Sequence, residues 1–194
     1  LNQIIQKSSN ICAAKIGMSM QPLKFYEYIL RFGFGKRPNS GVAAEASGRV
    51  ISHSKWQAID HANISFGQAI LVSPLQMVTA ANVFANDGIF VPSYIIDHLR
   101  DKNGEKIKKL KNKSGEIIQS FGEGIRKPVI NQYVSKLVKK YLISVTKKGG
   151  TAEKASIKGY QVAGKTGTSQ IFDKQLGRYS NTKYISSFVG FAPA

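Results

Sequence analysis

The stretch "GYQVAGKTGTSQ" at residues 159–170 concentrates side chains that could carry chemistry. Lys165 offers an ammonium group, and the hydroxyls of Thr166 and Thr168 lie close to it along the chain. An ammonium group beside two hydroxyls is a suitable anchor for a carboxylate. From Gly159 onwards the stretch also matches the phosphate-loop pattern G-x-x-x-x-G-K-[ST]. A nucleotide phosphate and a carboxylate are therefore the two candidate ligands.

The surroundings of the stretch argue against the phosphate loop. Such a loop requires a buried strand before its first glycine and a helix that begins at the Lys-Thr pair. The preceding segment "TAEKASIK" is polar, and Gly167 after Thr166 disfavours a helix. A β-strand fits better, and on it Thr166 and Thr168 point to the same face. The carboxylate anchor is the interpretation that we keep.

A second polar cluster, Ser8-Ser9-Asn10, lies between two segments with helical spacing, "LNQIIQ" and "NICAAKIGMSM". Serine and asparagine favour turns and helix caps, so a plain helix–turn–helix junction is one interpretation. The cluster is also an S-x-N motif, a pattern that arises easily by chance. Its weight therefore depends on the rest of the chain.

The order of S-x-N and then K-T-G resembles the penicillin-binding proteins and serine β-lactamases, in which S-x-x-K precedes both. Six longer segments resemble the class B penicillin-binding proteins, the division and elongation transpeptidases, and they are spread over almost the whole chain. They are "SSNICAAKIG", "YILRFGFG", "ISFGQAILVSPLQMVTAANVFANDG", "KKGGTA", "VAGKTGTS" and "YISSFVGFAPA".

The resemblance implies a peptidoglycan D,D-transpeptidase that works through an acyl-serine intermediate. It implies peptidoglycan stem peptides ending in D-Ala-D-Ala as substrates and β-lactams as ligands. Other cell-wall synthesis proteins and membrane lipid are expected partners of the parent protein, and no cofactor is expected. The implied location is the bacterial cell envelope, in an extracytoplasmic domain of a membrane-anchored parent.

The resemblance assigns a catalytic role to three residues. Ser8 would relay a proton towards the leaving and the attacking nitrogen. Asn10 would hydrogen-bond the amide of the substrate, and Lys165 would lend positive potential to the site.

The same resemblance assigns substrate binding to the strand residues after Lys165. Thr166 and Thr168 would bind the terminal carboxylate of the substrate, and Gly167 would let the strand approach it closely. The backbone N–H of Thr168, with that of the nucleophilic serine, would form the oxyanion hole.

The nucleophile of the family is expected several tens of residues before Ser8. Three S-x-x-K strings occur, beginning at Ser52, Ser144 and Ser180, but all of them follow Ser8. A serine and its activating lysine also need one helical turn between them, which a loop at Ser52 would not provide. We therefore expect this chain to be the C-terminal part of one transpeptidase domain, incomplete at both ends, with the serine outside it.

Three other functions stay open at this point. A serine β-lactamase or carboxypeptidase of the same superfamily shares the motifs, and a non-catalytic β-lactam-binding or peptidoglycan-binding module could retain them. The net charge of +17, from 28 Lys and Arg against 11 Asp and Glu, also suits a polyanion. However, the lysines are spread along the chain and form no basic stripe with interleaved aromatics, so nucleic acid is not expected.

Metal chemistry is not predicted either. Cys12 is the single cysteine, and His53, His61 and His98 are scattered without the spacing of a ligand pair. We interpret the histidines as surface or hydrogen-bonded structural residues.

The elements that must position these motifs follow from periodicity. Helices are predicted over 21–35, 73–88 and 130–150, the second with Ser73 as cap and Pro74 in its first turn. Two strands are predicted at the C-terminal end, and a basic, exposed hairpin or lobe at about 97–128 with a turn at 101–104. The expected fold class is α+β, an antiparallel sheet flanked by helices.

Overall fold

The computed structural model describes residues 1–42, 44–122, 124–173, 175 and 177–194. It contains α-helices together with antiparallel strand pairs, which confirms the mixed fold class. The helices are α1 (Asn2–Lys7), α2 (Asn10–Met18), α3 (Pro22–Arg31), α4 (Ala58–Ser65), α5 (Pro74–Ala85) and α6 (Gln132–Val145). The strands are β1 (Ile89–Phe90), β2 (Leu99–Arg100), β3 (Lys106–Ile107), β4 (Lys109–Lys111), β5 (Ile117–Ser120), β6 (Lys127–Pro128), β7 (Ala163–Asp173) and β8 (Arg178–Phe191). Two short 3₁₀ helices cover His53–Lys55 and Glu153–Ala155.

The chain divides into two compact units. The first unit combines Leu1–Gln21, Trp56–Ala69 and Lys136–Ala194. The second combines Pro22–Lys55 and Ile70–Ser135. Both units are built from segments that are distant in sequence, so neither can form from a single local stretch.

Helix α5 of the second unit begins with reciprocal caps. Ser73 Oγ accepts the backbone N–H of Gln76 at 3.2 Å, and the side-chain oxygen of Gln76 accepts the N–H of Ser73 at 2.8 Å. This pattern satisfies two N–H groups that a helix start leaves free. The buried Gln76 amide also donates to the carbonyls of Lys36 and Ser47, which fixes the irregular segment before α4. The helix predicted over 73–88 is confirmed.

Helix α4 of the first unit was not predicted from the sequence. It is short, and its cap is Gln57, whose N–H donates to the Asp60 carboxylate at 2.9 Å. The helix packs against α2, where Gly17 is buried directly against Ser65. A side chain at Gly17 would collide with Ser65, so a glycine is required for the two helices to approach.

The hairpin of β7 and β8 runs through the K-T-G stretch in the first unit. Its register pairs Ala163 with Phe191 near one end and Asp173 with Arg178 near the turn, with an irregularity between Gln170 and Phe172. The two predicted C-terminal strands are therefore confirmed. The hairpin sets Lys165 and the two threonines on a continuous, paired strand.

The segment 97–122 of the second unit forms two short hairpins. Strand β2 pairs with β3 around the turn at 101–104, and β4 pairs with β5 around a turn at 112–115. In the first turn the Asp101 carboxylate accepts the N–H groups of Asn103 and Glu105 at 2.9 and 2.8 Å. The predicted turn is confirmed.

Candidate active site

Ser8 lies at the junction of two helices. Helix α1 ends at Lys7, and Ser8 adopts a left-handed backbone conformation with φ 55° and ψ 50°. Ser9 then caps α2, with its Oγ accepting the N–H of Cys12 at 3.4 Å. The sharp junction leaves the Ser8 side chain exposed to solvent. Asn10 is the first residue of α2 and is exposed as well.

Lys165 reaches Ser8 from strand β7. Its Nζ donates to Ser8 Oγ at 2.7 Å and to the backbone carbonyl of Thr166 at 2.9 Å. The two residues are separated by 157 positions in the sequence, so this contact depends entirely on the fold. The structure brings together one residue from each of the two predicted motifs.

Burial changes the acidity of Lys165. The side chain is half-buried, and desolvation lowers the pKa of its ammonium below the ordinary value of 10.5. A lysine with a lowered pKa gives up its proton more easily than a surface lysine. With a hydroxyl within hydrogen-bond distance, the pair can hold a proton or pass it on at Ser8 Oγ.

The remaining strand residues follow along β7. Thr166 is half-buried, and the side chain of Thr168 is exposed. Gly167 lies opposite Ser187 of β8, where an added Cβ would come within 2.6 Å of Ser187 Oγ. A larger residue at this position would therefore have to displace Ser187, so the glycine keeps the hairpin surface flat between the two threonines.

The turn after α6 supplies residues that sequence reasoning missed. Thr151 Oγ1 lies 2.8 Å from Thr166 Oγ1, and the Gly149 carbonyl accepts a hydrogen bond from Lys7 Nζ at 2.8 Å. The segment "KKGGTA" is part of the family resemblance, but its residue types alone indicate no role in the site. Only the tertiary structure shows that it contacts Thr166 of the K-T-G motif and Lys7, the residue directly before the S-x-N motif.

The three S-x-x-K strings lie in different environments. Ser52 directly precedes a 3₁₀ helix, Ser144 lies in the last turn of α6, and Ser180 lies in β8. Ser144 Oγ donates to Asn2 Oδ1 at 2.8 Å, and Ser180 Oγ accepts the N–H of Lys183 at 3.0 Å. Ser144 and Ser180 thus use their hydroxyls in structural hydrogen bonds.

Two further features concern only the part of the chain that the structure describes. No group of three or more His, Cys, Asp or Glu side chains is placed there to hold a metal ion. No helix in the described ranges has both the length and the apolar character needed to cross a membrane.

Comparison with known proteins identifies the family of this chain. The model of the penicillin-binding protein transpeptidase domain matches residues 1–194. The chain belongs to this family. It is 33% identical over 194 residues to peptidoglycan D,D-transpeptidase FtsI of Escherichia coli K12, covering all of this chain and 29% of that protein. It is 32% identical over 197 residues to penicillin-binding protein PbpB of Mycolicibacterium smegmatis, covering 98% of this chain and 28% of the relative.

Solved structures of penicillin-binding proteins also match the fold of this chain. Penicillin-binding protein 3 of Mycobacterium tuberculosis matches with a TM-score of 0.85 and 27% identity, over 98% of this chain and 42% of that one. The resemblance to class B penicillin-binding proteins is therefore confirmed, as is the expected transpeptidase fold. The chain spans less than half the length of the curated relatives that it matches.

Proposed function

We propose that this transpeptidase-domain chain forms part of a peptidoglycan D,D-transpeptidase that cross-links stem peptides through an acyl-serine intermediate. The observation that carries the proposal is the 2.7 Å contact between Lys165 Nζ and Ser8 Oγ, which unites the two family motifs. Relatives such as FtsI are named peptidoglycan D,D-transpeptidases.

The reaction balances as two acyl transfers. A serine contributed by the rest of the domain attacks the carbonyl between the two terminal D-Ala residues, and its proton leaves with the released D-Ala amine. An amine of a neighbouring stem peptide then attacks the ester, the new amide bond forms, and the serine recovers a proton. No oxidant, metal or cofactor is consumed in either step.

Proton transfer and charge stabilisation in this proposal depend on Ser8, Asn10 and Lys165. Ser8 Oγ passes protons between the serine oxygen and the substrate nitrogen, and Lys165 holds Ser8 Oγ in place and adds positive potential. Asn10 is exposed two residues after Ser8 and hydrogen-bonds the substrate amide.

Thr166, Gly167 and Thr168 bind the substrate strand. The two threonine hydroxyls receive the terminal carboxylate beside the Lys165 charge. The backbone N–H of Thr168 stabilises the oxyanion that develops on the attacked carbonyl. Gly167 leaves room for the substrate because it has no side chain.

β-Lactams acylate the same serine in this proposal, because their ring amide and carboxylate resemble the end of the stem peptide. Penicillin-binding protein 3 of M. tuberculosis was solved with ampicillin, and that structure matches this chain with a TM-score of 0.80, 27% identity, and coverage of 98% and 41% of the two chains. We place the parent protein in the bacterial cell envelope, with its catalytic domain outside the cytoplasm. Its basic surface then faces anionic lipid or other cell-wall synthesis proteins.

Intact-mass spectrometry tests the proposal. The parent chain, extended to include the nucleophilic serine, is incubated with benzylpenicillin and weighed. We expect one penicilloyl adduct, which disappears when the nucleophile is changed to alanine and forms far more slowly in Lys165→Ala. A parent chain that binds the penicillin reversibly without a covalent adduct would instead be a binding module. Rapid hydrolytic turnover of the penicillin would indicate a β-lactamase.

A further inference from the structure

The turn that follows helix α6, residues 146–152, is held firmly in place by its own hydrogen bonds; we call it the α6 turn. Thr146 Oγ1 donates to the carbonyl of Val162 at 2.7 Å, directly before β7 begins. The N–H of Ala152 donates to the carbonyl of Val145 at 3.0 Å. Thr146, Val145 and Ala152 are all buried. The two ends of the α6 turn are therefore anchored in the first unit.

On one side the α6 turn contacts the segment before Ser8. The ammonium of Lys7 donates to the carbonyl of Gly149 at 2.8 Å. The N–H of Thr151 donates to the carbonyl of Gln6 at 3.3 Å. These two bonds fix the end of α1, and with it the position from which Ser8 projects.

On the other side the α6 turn contacts the K-T-G strand. Thr151 Oγ1 lies 2.8 Å from Thr166 Oγ1, and Thr151 is exposed to solvent. The preceding Gly150 cannot carry a side chain, because a Cβ there would collide with the carbonyl of Val145. The backbone hydrogen bonds of Thr151 and Ala152 hold the turn where the Thr151 hydroxyl meets that of Thr166.

We propose that Thr151 is a positioning residue that sets the direction of the Thr166 hydroxyl and thereby the preference for ligands with a carboxylate. The inference rests on the proposed function, in which Thr166 binds that carboxylate. A hydroxyl has one proton, so a Thr166 O–H that donates to the ligand must leave its oxygen free to accept from Thr151. The Thr151 O–H supplies that hydrogen bond, and the aligned pair polarises the Thr166 proton towards the anion.

The test compares two acyl donors on the parent chain that contains the nucleophilic serine. Acylation rates by benzylpenicillin and by its methyl ester are measured by intact mass, and the ratio of the two rates reports recognition of the carboxylate. We expect Thr151→Val, which keeps the shape and removes the hydroxyl, to lower the ratio about five- to tenfold. Thr151→Ser should keep the ratio within about twofold of the wild type, because the hydroxyl is retained.

Thr182→Val is the matched control, since Thr182 is an exposed threonine of β8 outside the motifs. It should leave both rates unchanged. If Thr151→Val lowers thermal stability, the double variant with Thr166→Val distinguishes lost positioning of Thr166 from a general structural defect. A positioning role requires that adding Thr151→Val to Thr166→Val lowers the ratio no further.

Each result has one meaning. A normal wild-type adduct with an unchanged ratio in Thr151→Val overturns the positioning role alone. An equal loss with acid and ester overturns it as well, because a purely structural defect does not discriminate between them. The absence of any wild-type adduct overturns the proposed function, and the positioning role with it.

Discussion

The β7–β8 hairpin and the short hairpins of segment 97–122 use the same antiparallel pairing, yet they hold lysine in opposite ways. Lys165 of β7 is half-buried, lies 2.7 Å from Ser8 Oγ, and has a pKa lowered by burial. The lysines of the short hairpins are exposed, among them Lys106, Lys109 and Lys111. The lowered pKa of Lys165 therefore comes from burial in the fold. A high local density of lysines, as in the short hairpins, does not produce it.

The short hairpins are mostly exposed to solvent. Their strands are two to four residues long, and two apolar side chains of β5 face solvent, Ile117 with 51% and Ile118 with 65% of its surface exposed. Exposed ion pairs and charges contribute little to folding, because water screens them. Lys165 also donates a hydrogen bond to Ser8 Oγ, whereas the lysines of the short hairpins belong to the other compact unit. We therefore expect substitutions in the two regions to differ by orders of magnitude in their effect on the acylation rate.

The largest expected effect is that of Lys165→Ala on acylation. Removing an electrostatic donor aimed at the reacting atoms typically costs about 100- to 1000-fold in rate, and we expect a loss of that size with benzylpenicillin. Lys183→Ala in β8 is the control, since Lys183 is exposed, and it should change the rate by less than about twofold.

The pairing of Lys165 with Ser8 can be tested separately by a double-mutant cycle. Ser8→Ala and Lys165→Ala should be strongly non-additive, because each removes the same hydrogen bond. Additive losses in acylation rate would mean that the two side chains act independently.

A backbone change should next separate the α6 turn, which contacts Thr166 of β7, from the turn of a short hairpin. Alanine at Gly150 would collide with the carbonyl of Val145, and we expect a loss of about 3 kcal/mol in the free energy of unfolding. Alanine at Gly104, in the turn of β2 and β3, meets no atom within 4 Å, but φ there is +85°. The strain of that conformation alone should cost about 1 kcal/mol.

Urea denaturation of the two glycine variants measures the difference. The midpoint should fall much further for Gly150→Ala than for Gly104→Ala, with similar slopes. Equal midpoints would show that the α6 turn can accommodate a Cβ at Gly150 despite its close approach to the carbonyl of Val145.

The pH dependence should also distinguish Lys165 from surface lysines. Burial lowers its pKa below 10.5, so the folded chain binds fewer protons than the unfolded chain between the lowered pKa and 10.5. Its contribution to the free energy of unfolding therefore rises with pH across that window, and the desolvation penalty is complete only below the lowered pKa. Acylation, which uses the charged form, should decline across the same window.

The pH profile of the acylation rate checks this expectation, with Lys165→Arg as the comparison. An arginine stays charged throughout this range, so the declining limb should disappear or move to higher pH. A limb that stays unchanged in Lys165→Arg would assign the titration to another group.

The smallest effect is expected from the exposed lysines of the β4–β5 hairpin. Changing Lys109, Lys111 and Lys113 together to serine should alter the free energy of unfolding by no more than about 0.5 kcal/mol per site. Acylation should stay unchanged. If the basic surface faces anionic lipid, binding to phosphatidylglycerol vesicles should weaken, most clearly at low salt.

Vesicle binding that does not respond to these substitutions would show that this hairpin is not the basic contact. Changing Lys136, Lys140 and Lys147 to serine provides a comparison of equal charge change on another exposed surface.

Local signals in the sequence predicted several elements correctly. Ser73 and Pro74 define the start of α5 by capping chemistry alone, and the Asp101 turn follows from residues that lie next to each other. The K-T-G stretch was correctly predicted to be a strand, because the polar segment before Gly159 and Gly167 after Thr166 do not suit a phosphate loop. These features depend on a few adjacent residues, so they can be read without knowledge of the fold.

Other features could not be predicted from the sequence, because they depend on contacts with residues far away in the chain. Helix α4 begins after Gln57, a residue type that is not a typical helix cap, and it packs against α2 at Gly17. Likewise, "KKGGTA" contains no local sign that Thr151 lies beside Thr166.

The sequence by itself determined the family, the two motifs and most of the elements that carry them, because motif order and capping residues are encoded locally. The tertiary structure decided that Lys165 meets Ser8 across 157 positions, and that burial lowers the pKa of Lys165. It also decided that Thr151 faces Thr166 from the α6 turn. The reason is physical, since burial and hydrogen bonding between remote segments exist only once the chain has packed.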